Sequence, residues 1–283
     1  IIDIGGMAMH FQWYPGHMTK AKRMMQENIK LIDVIIELVD ARTPLSSKNP
    51  DIEKMAANKI RVLLLNKYDL ADEKKTKEWK EYYESQGYFT ALVNAKAGKG
   101  VRAVNSVVMD ACKEKIERDR KRGIINRPVR AMIVGIPNVG KSTFINSFAG
   151  KACAKTGDKP GVTKGKQWIR LNKNIELLDT PGILWPKFED QMVGLRLALI
   201  GSIKDEILQI EELACELIKY LRLEYPDMLR EYLGFEATGA EHEVLLMYAE
   251  KRGCIQRGSE PDTVRAAALM MDDYRAGKIG KIT

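Results

Sequence analysis

Residues 129–142 read VRAMIVGIPNVGKS, and the second half of that stretch decides the fold. VRAMIVG is a short apolar run suited to a buried strand. GIPNVGKS matches G-x-x-x-x-G-K-S, and the residues from Lys141 onward predict a helix. Strand, glycine loop and helix together make a phosphate cradle. The glycines let backbone N–H groups converge on an anion, and the helix N-terminus adds the positive end of its dipole. In that cradle Asn138, Val139 and Gly140 supply loop backbone and Lys141 reaches the β- and γ-phosphates. The Ser142 hydroxyl meets Mg²⁺ and Thr143 lies by the α-phosphate.

Downstream, LLDTPG (177–182) places Asp179 at the end of a second strand. There its carboxylate belongs to the Mg²⁺ shell and the Gly182 amide is within reach of the γ-phosphate. KPGVTKG (159–165) offers Thr163 as a switch residue for Mg²⁺ and γ-phosphate. Upstream, LLLNKYDL (63–70) carries Asn66-Lys67-Tyr68-Asp69. The Asp69 carboxylate can accept from the N1–H and 2-amino donors of guanine, a pattern that adenine lacks. Asn66 can donate to N7 and brace the loop, and the Lys67 stem can lie over the ring. VNAKAG (93–98) fits a companion loop, with the Ala95 amide expected to face the guanine O6 and Asn94 where serine is usual. A site built from such donors and acceptors discriminates strongly between bases. GTP or GDP is the ligand these residues predict, and a metabolic kinase has no use for the guanine motif.

The base motif therefore precedes the phosphate loop, the reverse of the common order. Apolar runs at 34–40, 61–66, 89–94 and 129–135 alternate with helical patterns, which implies a parallel sheet covered on both faces. The pattern predicts a basic helix from Thr19 as N-cap, helices over 49–58 and 72–87, and one long helix over 100–123. QWIRL and IELLDT predict a hairpin. Beyond residue 186 no strand is expected. Ile207, Ile210, Leu213, Leu217 and Leu221 recur at helical spacing, and further helices are expected over 226–235, 242–253 and 261–277.

The formal charge is +8, unevenly spread. Residues 187–283 hold 13 Lys and Arg against 18 Asp and Glu, a net of −5, which leaves +13 on residues 1–186. A basic first part points to a polyanion such as RNA. No apolar run approaches the ~20 residues that span a bilayer, so no membrane is expected. Four scattered cysteines without a C-x-x-C pair speak against a disulfide framework or a zinc site and for a reducing cytoplasm.

The order NKYD, NAK, GIPNVGKS, PGVT, DTPG resembles the circularly permuted GTPases. With WYPGHMTKAKR (13–23) before it and VDARTP (39–44) after the first helix, the whole chain is similar to the ribosome biogenesis GTPase A family. Permuted GTPases of the small subunit, with their zinc modules or OB-fold, are poorer matches. The resemblance implies a circularly permuted P-loop GTPase with a Ras-like doubly wound α/β sheet, followed by an all-α C-terminal domain. The expected boundaries are an N-terminal extension and basic helix over 1–30, a GTPase domain over 31–186 and a helical domain over 187–283. Association with the immature large (50S) ribosomal subunit and its rRNA is implied, as a monomer and without DNA. The alternative is a GTP-dependent RNA-binding or scaffold protein with negligible hydrolysis.

Ile183 stands where Ras-like enzymes place a water-orienting glutamine, so slow unaided hydrolysis is expected. The resemblance implies two substitutes. One is His17 in PGHM as a mobile catalytic group beside Lys141 and Thr163, and the other is K⁺ held by Asn138. Asp40 and Arg42 of DARTP are expected to be structural.

Overall fold

The computed structural model describes residues 16–125, 127–150, 167–186, 188–204 and 209–283. In chain order the first elements are α1 (Gly16–Asn28), β1 (Val34–Asp40), α2 (Pro50–Met55), β2 (Ile60–Asn66), α3 (Glu73–Ser85), β3 (Phe89–Val93), α4 (Val104–Ala111) and α5 (Lys113–Lys121). β4 (Val129–Gly135), α6 (Lys141–Ala149), β5 (Gln167–Arg170) and β6 (Ile175–Asp179) follow. Helices complete the chain: α7 (Gln191–Leu199), α8 (Ile210–Glu224), α9 (Pro226–Leu233), α10 (Glu241–Lys251) and α11 (Thr263–Arg275).

The strands form one sheet in the order β3-β2-β1-β4-β6-β5, parallel except for β5, which pairs antiparallel with β6. Register explains how a permuted order still builds one site. β1 lies between β2 and β4, with Asp40 opposite Asn66 and Leu38 opposite Gly135. The base motif leaves the C-terminal end of β2, the phosphate loop leaves that of β4, and Asp40 stands between them. Ligands of open parallel sheets bind at this strand end.

Sequence pattern and structure part company at three helices. α1 begins at Gly16, so Thr19 is inside its first turn and is not the N-cap. The long helix over 100–123 is two helices that meet at Cys112, a fully buried residue whose ψ of 5° leaves the helical region. α7 has no amphipathic stripe, because Gly194, Leu195, Leu197, Ala198 and Leu199 are all buried, and its periodicity is correspondingly silent. It starts at Asp190, whose side chain accepts from the Met192 amide. In α8 the expected stripe is present at Leu213, Leu217 and Leu221, all buried; Ile207 lies outside the described residues. Asn49, Asp72 and Asp262 cap α2, α3 and α11. Among the described residues no helix is long and apolar enough to cross a membrane.

All seven residues of β1 are buried, Glu37 among them. Its carboxylate accepts from the Asn49 amide at 3.2 Å, yet burial pushes its pKa up to about 7, partly opposed by that bond and by Lys48 and Arg61. A carboxyl group raised in the folded state is fully tolerated below its unfolded value, and its penalty grows as pH rises toward the folded value. Glu37→Gln retains an acceptor for the Asn49 amide and removes the charge. The variant is expected to be more stable than the parent by about 3 kcal/mol near pH 8, with the gap closing toward about pH 4.5. Urea melts across that range check this, and a gap independent of pH would refute it.

Candidate nucleotide site

The phosphate loop runs from Gly135 into α6. Gly135, Asn138 and Gly140 have φ of 150°, 58° and 99°. A Cβ at Gly135 would come within 2.6 Å of the Leu38 carbonyl oxygen, and one at Gly140 within 2.4 Å of Asn66 Nδ2. Both glycines are therefore demanded by close approach of the neighbouring strand and loop. Lys141 is buried and its Nζ donates to the Gly135 and Ile136 carbonyls at 3.0 and 2.9 Å. Ser142 and Thr143 are half-buried on the first turn of α6.

Gly182 packs onto this loop: a Cβ there would lie 2.9 Å from Lys141 Nζ and from Pro137. Behind it Thr180 Oγ1 donates to the Ile133 carbonyl at 2.6 Å, fixing the end of β6 against β4. Asp179 is buried, and neither of its carboxylate oxygens accepts a hydrogen bond of ordinary geometry among the described residues. Burial drives this pair toward neutrality, Asp179 upward and Lys141 downward, and each charge holds the other back. A buried carboxylate with two open oxygens beside a phosphate cradle is the donor set that a hard cation such as Mg²⁺ takes.

The base motif is joined to this loop directly. Asn66 donates from Nδ2 to the Val139 carbonyl at 2.8 Å and accepts at Oδ1 from the Ala95 amide at 3.1 Å. One side chain therefore pins three motifs that lie 29 and 73 residues apart. The Ala95 amide, expected to face the guanine O6, is turned onto Asn66 instead, because Ala95 is buried behind the brace. Asn94 shapes this loop, its Oδ1 accepting from the Ala97 amide at 2.9 Å. Lys67 adopts a left-handed conformation, φ 59°, that swings Asp69 onto an exposed turn. Its Nζ donates to the Asn138 carbonyl at 2.9 Å and lies 3.1 Å from Asp40 Oδ2. Tyr68 packs into the apolar cluster around Leu63, Leu65 and Tyr83, so it anchors the turn from behind. Val139 is likewise buried, and it takes part through its carbonyl.

The four residues named for hydrolysis divide among buried, engaged and undescribed positions. Ile183 does occupy the position after Gly182, but it is fully buried and its carbonyl accepts from Asn49 Nδ2 at 3.1 Å. The Asn138 side chain donates to the Gly201 carbonyl at 2.7 Å, beyond α7, so its amide is engaged with the helical region and the potassium role rests on resemblance alone. Thr163 and the side chain of His17 lie outside the described residues.

Sequence reasoning missed the depth of the DARTP element. Asp40 and Arg42 form a buried bidentate pair, Nε to Oδ1 at 2.9 Å and Nη2 to Oδ2 at 2.8 Å. The Arg42 guanidinium and Lys67 hold the Asp40 carboxyl far below the usual carboxylate range, against the effect of burial itself. Their signal was the D-A-R spacing beside a strand end. Asn49 and Ser202 carried no signal, because their partners, Ile183 and Pro137, lie far away in sequence.

Comparison with known proteins points to the same fold and the same nucleotide. A family model described as "50S ribosome-binding GTPase" matches residues 130–236. Ribosome biogenesis GTPase A of Bacillus cereus is 47% identical over 97% of this chain and 93% of its own length. The protein of the same name from Thermotoga maritima is 31% identical over 96% and 92%. The crystal structure of GNP-bound YlqF from T. maritima superposes with a TM-score of 0.65 at 29% identity, covering 93% of this chain and 97% of that one. The GDP-bound structure of the same protein gives 0.66 at 28%, covering 92% and 97%. With a base motif, a phosphate loop and a buried aspartate gathered at one sheet edge in permuted order, and with relatives alike over nearly the whole chain, the chain belongs to the ribosome biogenesis GTPase A family.

Proposed function

We propose that this GTPase binds GTP and Mg²⁺ at the edge formed by β2, β1 and β4, associates with the immature 50S subunit and promotes its late assembly. The observation that carries the nucleotide part is the Asn66 brace, which joins the base loop, its companion loop and the phosphate loop through one side chain. Asp69 reads the guanine edge, and Lys67 flanks the ring. Lys141 holds the β- and γ-phosphates, with Ser142 and Thr143 beside it. Gly182 donates its amide to the γ-phosphate. Ser142, Asp179 and Thr163 would hold Mg²⁺, which when bound neutralises charge on the β- and γ-oxygens. The charge of +13 on residues 1–186 supports contact with rRNA in a cytoplasmic setting. Residues 31–186 act as the GTPase unit, and residues 187–283 as the helical unit to which nucleotide state is relayed.

Ile183 offers no side chain to an attacking water and is buried besides, which supports slow turnover by the isolated protein. The missing group is then supplied when the subunit docks, and His17 is the candidate. Turnover measured with and without purified large subunits is expected to differ by about 10²-fold or more, within the range a supplied catalytic group provides. His17→Ala is expected to remove the stimulation while GTP affinity stays near that of the parent. A burial as complete as that of Ile183 also favours a second reading, a GTP-dependent RNA-binding or scaffold protein that hydrolyses little. Equal rates with and without subunits would decide for it.

A further inference from the structure

Polar contacts among Asp40, Arg42, Arg275, Asn138 and Lys67, completed by the backbone from Ala198 to Gly201, close a ring around the strand end. Asp40 pairs with Arg42, and Arg42 Nη1 donates to the Arg275 carbonyl at the end of α11 at 3.3 Å. The Arg275 side chain turns the other way. Its Nε donates to the Leu199 carbonyl at 3.0 Å and its Nη2 to the Ala198 carbonyl at 2.9 Å, so it caps the last turn of α7. Gly201 follows with φ 76°, and a Cβ there would lie 3.3 Å from Arg275 Nε. The Gly201 carbonyl accepts from Asn138 in the phosphate loop, and Ser202 Oγ beside it donates to the Pro137 carbonyl at 2.9 Å. The Asn138 carbonyl accepts from Lys67, which returns to Asp40.

The ring has two ends in the nucleotide site, Lys67 and Asn138, and two in the helical region, Arg275 and Gly201. Asp40 and Arg42 are 0% and 3% exposed, so their pairing is shielded from solvent and from salt. Arg42 also lies over the Tyr274 ring, 5.7 Å from its centroid. Removing one partner of such a buried pair is costly, and its geometry is correspondingly rigid. None of these contacts involves Asp179, Gly182 or Thr163, the residues assigned to the γ-phosphate and its metal.

We propose that Arg275 is a positioning residue for guanine-nucleotide binding: by capping α7 and receiving Arg42 it seats the helical region against the phosphate loop and the base motif, and so sets how long GDP and GTP alike are retained. This rests on the guanine-nucleotide reading and deepens it. The path through Asp179 and Gly182 into α7 distinguishes GTP from GDP; the ring does not. Because binding energies are reciprocal, a nucleotide that is held more tightly by the ring also tightens the α7–α11 contact.

Two measurements on the full chain test this. In the first, release of fluorescent GDP and of a fluorescent non-hydrolysable GTP analogue is followed in Arg275→Ala and Arg275→Lys. Both nucleotides are expected to leave about tenfold faster from Arg275→Ala, by the same factor, a typical size for coupling between sites. Arg275→Lys, which keeps a donor for one α7 carbonyl, is expected to recover part of the loss. Parental release rates in a folded Arg275→Ala overturn the proposal, as does acceleration of the triphosphate analogue alone. In the second, hydrogen exchange of the parent protein is recorded with and without GDP, which keeps the question open to test even if the variants misfold. GDP is expected to slow exchange over residues 197–202 and 274–277, as well as over 135–143. Protection confined to 135–143 counts against the ring. No protection over 135–143 and no nucleotide binding by the parent would instead refute the guanine-nucleotide reading beneath it.

Discussion

Asp69→Asn is expected to lower GTP affinity by about 10³-fold and to give the protein an affinity for XTP, since two charge-assisted hydrogen bonds of about 2 kcal/mol each change partner. The carboxylate can accept from guanine N1–H and from the 2-amino group at once. Asparagine offers one acceptor and one donor, so its amide N–H meets the 2-amino group of guanine with no acceptor between them. Xanthine carries an oxygen at that position and pairs with the same amide. The effect is large because the turn is rigid. Lys67 holds its left-handed conformation through the Asn138 carbonyl and Asp40, Asn66 is fixed at both ends of its side chain, and Tyr68 is packed from behind. Asp69 itself is exposed, so the substitution is expected to leave folding stability within about 0.5 kcal/mol. Competition of GTP, XTP and ATP against a fluorescent guanine nucleotide reads the outcome. Unchanged GTP binding in the variant would place base recognition elsewhere in the chain.

How far the sequence discloses the site depends on how local each signal is. The strands are legible because residues of a sheet covered on both faces read as unbroken apolar runs; β1 is buried along its whole length. α8 is legible because one face is buried and the other solvated. α7 is not, because it is packed on several sides and its apolar residues have no period. The same division holds in the site. Gly135 to Ser142 and Asn66 to Asp69 are contiguous, and their chemistry can be read from neighbours. The direction of the Ala95 amide depends on Asn66, 29 residues away, and Arg42 depends on Arg275, 233 residues away. No period or short motif encodes such partners. The missing glutamine at Ile183 can be read directly, whereas its burial under Asn49 is a tertiary fact.

The permuted order acquires a physical meaning from these contacts. A nucleotide site is a set of positions in space, and β1 between β2 and β4 restores those positions whichever loop comes first in the chain. What the order changes is where the chain leaves the domain. Here it leaves after Gly182, next to Lys141, and the α7 that follows returns to the phosphate loop through Gly201 and Ser202. The helical region is thus joined to the phosphate loop twice, by chain continuity after Gly182 and by the hydrogen bonds of Gly201 and Ser202.

Lys141→Met is expected to lower subunit-stimulated GTP turnover by about 10²–10³-fold, the scale set by losing one preorganised charge at a transferring phosphoryl group. The ammonium is held between the Gly135 and Ile136 carbonyls and against Gly182, so its position is fixed by the loop. Methionine matches its length and apolar stem without the charge. The consequence for the unliganded protein is separate and has a definite sign. Burial already raises the Asp179 carboxyl, and the Lys141 charge opposes that rise. Without the lysine the carboxyl moves further up. A raised carboxyl is tolerated at low pH and penalised as pH climbs through its folded value, so the variant is expected to lose stability relative to the parent as pH rises. Lys141→Arg tests whether charge alone suffices. Its planar fork is wider than an ammonium and cannot take two loop carbonyls in the same space, so its turnover is also expected to fall. Turnover assays with saturating large subunits, read beside thermal melts at acidic and alkaline pH, separate the catalytic loss from the electrostatic one. Parental turnover in Lys141→Met would show that the phosphate loop of this chain is not where the chemistry is done.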